Sequence, residues 1–312
     1  MNRQDLESML ANLYRHTGAD RFFEPPQLKV AAAEDPFFER FKTVIGPQHW
    51  TPQEVLARKF PNAKAASVVV WVLPVNAEAR LSNRKETKRP SVEWAAVRSF
   101  GEILNEEIRR QMAALLPRAG YPAVAPHLEQ KEIYPPPGWD TRHFTSSWSE
   151  RHVAFVAGAG TFGLSAGLIT EHGVAMRLGS VVTSLRIPAD VRPYGDDPFA
   201  WCIRCGACIR RCPGHAIGKE FADRDKPGCA RYCVENISPE REKNYGWLDR
   251  AIGCALCQTG VPCEFQRPGR NGCPPPERRR EAVPLNRRSA SPESPSARWR
   301  AGPDRRWVCR RR

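Results

Sequence analysis

The residues with the clearest chemistry are Cys202-x2-Cys205-x2-Cys208-x3-Cys212-Pro213. Three thiolates spaced by two residues let a tight loop wrap one 4Fe–4S cube and bind three of its irons. The fourth, turned away by the following proline, serves a neighbouring cube. Gly206 gives the backbone the freedom that such wrapping needs. A structural zinc site more often pairs two separated C-x2-C knuckles. The run is therefore read as iron–sulfur, with zinc as the lesser alternative.

A second cube needs its own ligands, and the sequence offers them: Cys229, Cys254-x2-Cys257 and Cys263. Crossed pairing assigns Cys202, Cys205, Cys208 and Cys263 to one cluster and Cys212, Cys229, Cys254 and Cys257 to the other. Each set reaches four. Cys233, one helical turn beyond Cys229, competes with it as ligand. Cys263 follows a proline and stands farther from Cys257 than the usual three-residue spacing. Nine of the eleven cysteines fall between Cys202 and Cys263, and none precedes Cys202. Disulfides would staple a whole chain, whereas a metal site crowds its ligands. Cys273 and Cys309 are left as free thiols. Apolar residues interleave with the ligands (Trp201, Ile203, Ile209, Ile217, Leu256), and such residues keep water from a cluster and tune its potential.

Several elements must position these thiols. Leu6, Met9, Leu10 and Leu13 predict a helix over 2–16. The run from Ala65 to Leu73, closed by Pro74, predicts a fully buried strand. Residues 91–117 read as a helix capped by Ser91, with a core stripe through Ala95, Val97, Phe100, Leu104, Ile108, Met112, Leu115 and Leu116. A strand is expected from Tyr121. Residues 167–170 and 174–185 read as a hairpin, and Pro188 and Pro193 mark a linker. The expected fold class is α/β (α+β). Residues 1–190 form a reductase-like domain, 191–268 a small ferredoxin-like dicluster domain, and 269–312 a disordered Arg/Pro-rich tail.

The net charge of +14 needs locating before it is interpreted. From Gln266 onward, 14 arginines face four carboxylates, so the tail holds +10 of it. A segment this poor in apolar periodicity does not offset the entropy of ordering. It would attract nucleic acid or an anionic membrane only non-specifically; a solvated arm explains it without a specific nucleic-acid site. No run of 18 apolar residues predicts a membrane span, and the polar N-terminus lacks a secretory pattern. A cytoplasmic protein is expected.

Two blocks resemble the epoxyqueuosine reductases and the related corrinoid-dependent reductive dehalogenases. One is Glu150-Arg151-His152-Val153-Ala154-Phe155 leading into Ala157-Gly158-Ala159-Gly160-Thr161-Phe162-Gly163. The other is the cysteine module with Gly253-Cys254-Ala255-Leu256-Cys257-Gln258. The resemblance spans roughly residues 60 to 265. It implies a reductase domain fed by two 4Fe–4S clusters, a redox partner such as a ferredoxin or flavodoxin, and a cobalamin near Gly158, Gly160, Thr161, Phe162 and Gly163. Where the family carries an acidic proton donor, this sequence has Phe144, and the Arg/Pro tail replaces the family's tRNA-gripping helical repeats. The reading is therefore a shorter relative of unknown substrate, and it names no catalytic residue. A ferredoxin-type carrier without catalysis is the alternative.

Gly158-x-Gly160-x-x-Gly163 also matches the spacing of a dinucleotide-binding turn. No clear helix opens after it, however, and no acidic residue stands about 20 positions on to hold a ribose. His152, His172 and His215 are isolated and read as surface or capping residues. Arg204, Arg210, Arg211 and Lys219 flank the cysteines, where they would dock an acidic donor or soften cluster charge; a solvated face accounts for them equally well.

Overall fold

The computed structural model describes residues 1–133, 139–140, 145–237 and 253–269. Phe144, Cys273, Cys309 and the tail from 270 lie outside the described residues. The strands are β1 (Gln27–Ala32), β2 (Ser67–Pro74), β3 (Ala123–Val124), β4 (Trp139–Asp140), β5 (Thr145–Ser146), β6 (Gly160–Phe162), β7 (Leu168–Thr170) and β8 (Met176–Thr183). The helices are α1 (Arg3–His16), α2 (Phe37–Val44), α3 (Pro52–Lys59), α4 (Ala77–Arg84), α5 (Val92–Ala96), α6 (Glu102–Arg118), α7 (Pro126–Ile133), α8 (Glu150–Val156), α9 (Ala207–Arg211) and α10 (Lys226–Tyr232).

The centre is a four-stranded sheet in the order β1-β2-β8-β3. Its pairings are antiparallel, with Val70 opposite Val30's neighbour Lys29 on one side and Ser180 on the other. All eight residues of β2 are buried, as expected of the β-branched run. Period-two alternation splits them between two cores. Val68, Val70 and Val72 meet Phe38, Phe41, Val55, Leu56 and Phe155 from α2, α3 and α8. Val69, Trp71 and Leu73 meet Leu6, Leu10, Ile108, Met112 and Leu116 from α1 and α6. The result is helix, sheet, helix: a mixed α/β architecture, as read from the sequence.

The helix predicted over 91–117 is present in three pieces. Ser91 caps it, its hydroxyl accepting from Trp94 N at 3.2 Å. A π-turn at Val97–Gly101 then joins α5 to α6. The expected hairpin is replaced by two different pairings. β7 pairs with β6, while β8 inserts between β2 and β3. The reason lies in the cysteine segment: Val174 N and Ala175 N donate to the carbonyls of Cys263 and Glu264, at 2.7 and 3.0 Å, so the chain leaves β7 before it can fold back along it. Met1–Cys273 form one contact-dense unit; a second, Pro274–Arg312, lies outside the described residues. Among the described residues no helix is long and apolar enough to cross a membrane.

Candidate metal centre

The first thiol group is built by two segments. Cys202 and Cys205 lie on the loop entering α9 and Cys208 in its first turn, with Gly206 at φ +68° as the N-terminal cap. Cys263 lies on the loop pinned to β8. The four sulfurs border one small space closed by Gly163, Leu164, Ile169 and Val261. They interact with one another: burial, then the nearby Cys202 and Cys205, pushes the Cys208 thiol up to about 11. Burial, then Cys208, Cys202 and Cys205, pushes Cys263 up to about 12. Without a cation Cys208 and Cys263 stay protonated at neutral pH. A thiophilic metal centre would deprotonate them, releasing protons as it binds.

The second group gathers Cys212, Cys229, Cys233, Cys254 and Cys257. Burial raises Cys257 to about 12, with Arg224 opposing and Cys229, Cys212 and Cys208 adding to the rise. Its hydrogen bond to Cys233, followed by burial, raises the Cys229 thiol. Cys233 is in turn hydrogen-bonded to Cys254. Cys212 Sγ accepts a backbone N–H from Ala216 at 3.3 Å, the type of contact that tunes a cluster sulfur. The structure thus brings together the four thiols of each sequence-derived set, with Cys233 in the second group as well.

Backbone geometry marks the same loops. Arg204 (φ +51°) and Ala255 (φ +49°) are left-handed non-glycine residues, each inside a C-x2-C turn. Such conformations cost on the order of 1–3 kcal/mol and persist where surrounding interactions over-determine them. Convergent soft sulfur donors, apolar walls and these two knuckles fit a thiolate-bound cluster in each group.

Long polar side chains fasten the cysteine loops to the α/β layers. Arg211 donates to the carbonyls of Leu256, Thr259, Asn83, Arg84 and Glu86 at 3.0–3.3 Å. Glu264 is fully buried beside Cys263 and takes Arg84 Nε at 2.8 Å and Gly260 N at 2.7 Å. Trp201 N donates to Thr161 Oγ1 at 3.0 Å, setting the chain just before Cys202.

The glycine segment lies against this centre. A Cβ on Gly158 would meet the Val191 carbonyl at 2.6 Å, and one on Gly160 the Ile169 carbonyl at 2.1 Å. Thr161 is fully buried, and Phe162 N donates to the Pro198 carbonyl at 2.6 Å. A Cβ on Gly163 would stand 3.8 Å from Cys202 Sγ. The close approach that these glycines permit is to the chain's own backbone and to the first thiol group. The segment follows helix α8 and contains strand β6, the reverse of the strand-then-helix order of a dinucleotide turn.

His152 is half-buried against the core. Its Nδ1 is 2.7 Å from Ser149 Oγ, its ring packs on Phe41 and Phe162, and burial pulls it down to about 3. Burial likewise holds His49 near 4. Both rings are neutral at physiological pH.

One polar group was missed from the sequence. Glu102, Asn105, Glu106 and Arg109 recur at helical spacing on α6, facing the sheet. Arg109 is 1% exposed. It donates to Glu102 Oε1 at 2.8 Å and the Leu178 carbonyl at 2.5 Å, and approaches Glu150 Oε1 at 3.3 Å. Asn105 takes the Trp71 indole N–H at 2.9 Å. Arg177 lies 3.9 Å from Glu102. Burial alone would raise Glu102, but Arg109, Arg177 and His127 outweigh it and hold the carboxyl at about 2. Glu102, Glu106 and His127 also bring potential metal-ligand atoms within 4.8 Å of one another. The two arginines already neutralise Glu102, so an ion-pair network accounts for the grouping. The i, i+3, i+4, i+7 polar stripe is the signal that the sequence offers for this group.

No protein-family model matches the chain. A segment is 32% identical over 124 residues to the epoxyqueuosine reductase of Synechococcus sp. (strain CC9605), covering 37% of this chain and 34% of that protein. The match thus spans about a third of that relative's length. Among solved structures, the catabolic reductive dehalogenase NpRdhA with 3-bromo-4-hydroxybenzoic acid superposes with a TM-score of 0.49 at 15% identity, over 78% of this chain and 30% of that one. The epoxyqueuosine reductase from Streptococcus thermophilus gives a TM-score of 0.45 at 14% identity, over 86% and 68%. The expected resemblance is found: over that segment the chain is similar in sequence to an epoxyqueuosine reductase.

Proposed function

We propose that this chain is an iron–sulfur oxidoreductase in which two 4Fe–4S clusters pass electrons to a group bound in the α/β layers. The observation that carries the reading is the convergence of nine thiols into two adjacent groups, each able to supply four sulfurs. Cys202, Cys205, Cys208 and Cys263 would hold the first cluster; Cys212, Cys254, Cys257 and a thiol of α10 would hold the second. The clusters supply single-electron transfer when bound. The chain's own residues exclude water, donate N–H groups to sulfur and fix the spacing of the two centres. Similarity to an epoxyqueuosine reductase supports reductase chemistry. Phe144, at the place of the family's acidic donor, favours a substrate other than epoxyqueuosine.

The glycine segment does not offer a corrinoid an open face, because the chain's own carbonyls fill the space beside Gly158 and Gly160. The Glu102–Arg109–Glu150–Arg177 ion-pair group, with Glu102 and Arg109 buried and Glu150 and Arg177 half-buried, is the proposed destination instead. Arg177 lies two residues along the chain from Ala175, whose N–H is bound to the segment holding Cys263. At strand spacing that separation is about 7 Å. Among the described residues neither carboxylate oxygen of Glu150 accepts a hydrogen bond, although Arg109 Nε stands 3.3 Å from Oε1 as its ion-pair partner. Arg204 and Arg210, beside the first thiols, suit an acidic donor such as a ferredoxin or flavodoxin.

The crowding at the glycines also favours the second reading, a non-catalytic electron carrier. Anaerobic purification with iron, acid-labile sulfide and cobalt analysis tests both. Two cubane clusters require about eight irons and eight sulfides per chain. Substrate-dependent reoxidation of the reduced protein supports the oxidoreductase; reoxidation by acceptor proteins alone supports the carrier. Zinc without sulfide contradicts both.

A further inference from the structure

The second thiol group holds one sulfur more than a cubane has iron corners, and the geometry of that surplus carries an inference resting on the cluster reading above. Cys212 comes from the end of α9, and Cys254 and Cys257 come from one loop. The remaining two, Cys229 and Cys233, both come from α10 and the π-turn Cys233–Ile237 that continues it. At a separation of four residues they share a helix face.

Both point into the same group. Cys229 interacts with Cys257, and Cys233 is hydrogen-bonded to Cys229 and to Cys254. Each is also held by apolar neighbours. Cys229 packs with Cys212, Cys257, Ala216 and Ile217, and Cys233 with Cys254, Ala95 and Ile237. Neither thiol is singled out by burial, since both are half-buried.

We propose that Cys229 and Cys233 are interchangeable ligands for one iron of the second cluster. One binds as thiolate while the other stays protonated beside it. In the exchange one iron–thiolate bond forms and one breaks. The incoming thiol's proton passes to the departing sulfur across their hydrogen bond, and no electron moves. The second cluster therefore has a spare ligand built into the helix, whereas among the described residues the first has none.

The test compares the full-length wild type with Cys229→Ala, Cys233→Ala, the double variant and Cys212→Ala, all purified anaerobically. Iron and sulfide are counted, and EPR spectra are recorded after dithionite reduction. Both single α10 variants should keep about eight irons, each with a narrower cluster-two EPR signal than the wild type. The double variant and Cys212→Ala should fall to about four. Loss of half the iron in only one of the single variants would show a single dedicated ligand and overturn the proposal. So would full iron in the double variant. The two single variants decide the matter even where the double variant fails to fold. A wild type lacking iron and sulfide would instead sink the cluster reading itself, a distinguishable result.

Discussion

The two thiol groups are made of the same chemistry but supported differently. The first has four sulfurs on two segments hydrogen-bonded to the chain just before β8 and to β6: Cys263 O takes Val174 N, and Trp201 N donates to Thr161 Oγ1. Its cysteines pack on the larger core with Phe155, Tyr194 and Trp201. The second has five sulfurs on three short segments and packs on two small apolar satellites. On the proposed cluster reading, the fifth donor is what sets the second group apart.

That contrast can be broken most forcefully at the first group. Cys263→Ala should cost at least the first cluster's iron, about half the total. It should also lower stability markedly, because metal binding contributes to folding and the same loop anchors the start of β8. Iron analysis alongside thermal unfolding checks this. Cys212→Ala should also halve the iron but spare the first cluster's EPR signal, with a smaller loss of stability. Loss of the first signal alone would reverse the ligand pairing.

A third change separates support by sulfur from support by buried charge. Arg109→Met strands Glu102 and Glu150 beneath the sheet and should destabilise the fold by about 3–5 kcal/mol. Urea unfolding measures it, and the iron content of the folded fraction should stay unchanged.

The smallest expected effect is on pH dependence. His152 and His49 have folded pKa values below the ordinary histidine value. The unfolded chain therefore binds more protons than the folded one between about pH 6.5 and each folded value. Stability is full above that window and falls on acidification, by at most about 1.4 kcal/mol per pH unit for each ring. The urea midpoint should drop between pH 7 and pH 5, and His152→Phe should flatten the drop.

Much of this was legible in the sequence because the signals were local. The Cys202–Cys212 register, the apolar run of β2 and the stripe of α6 each depend on residues close in the chain. What escaped depends on distant partners. The pairing of β8 with β2 instead of β7 follows from hydrogen bonds to Cys263 and Glu264, almost 90 residues away. The Glu102–Arg109 network escaped because a charged helical face reads as solvated until the sheet beneath it is known. The glycines at 158 and 160 announced a close approach, but only the fold identifies Val191 and Ile169 as what approaches.

The most direct test is anomalous diffraction at the iron edge from anaerobically grown crystals. The account predicts two strong iron peaks, one among Cys202, Cys205, Cys208 and Cys263 and the other among Cys212, Cys254, Cys257 and the α10 thiols. A lone peak at the zinc edge, or Cys212 bound with Cys202, Cys205 and Cys208 around one ion, would contradict it.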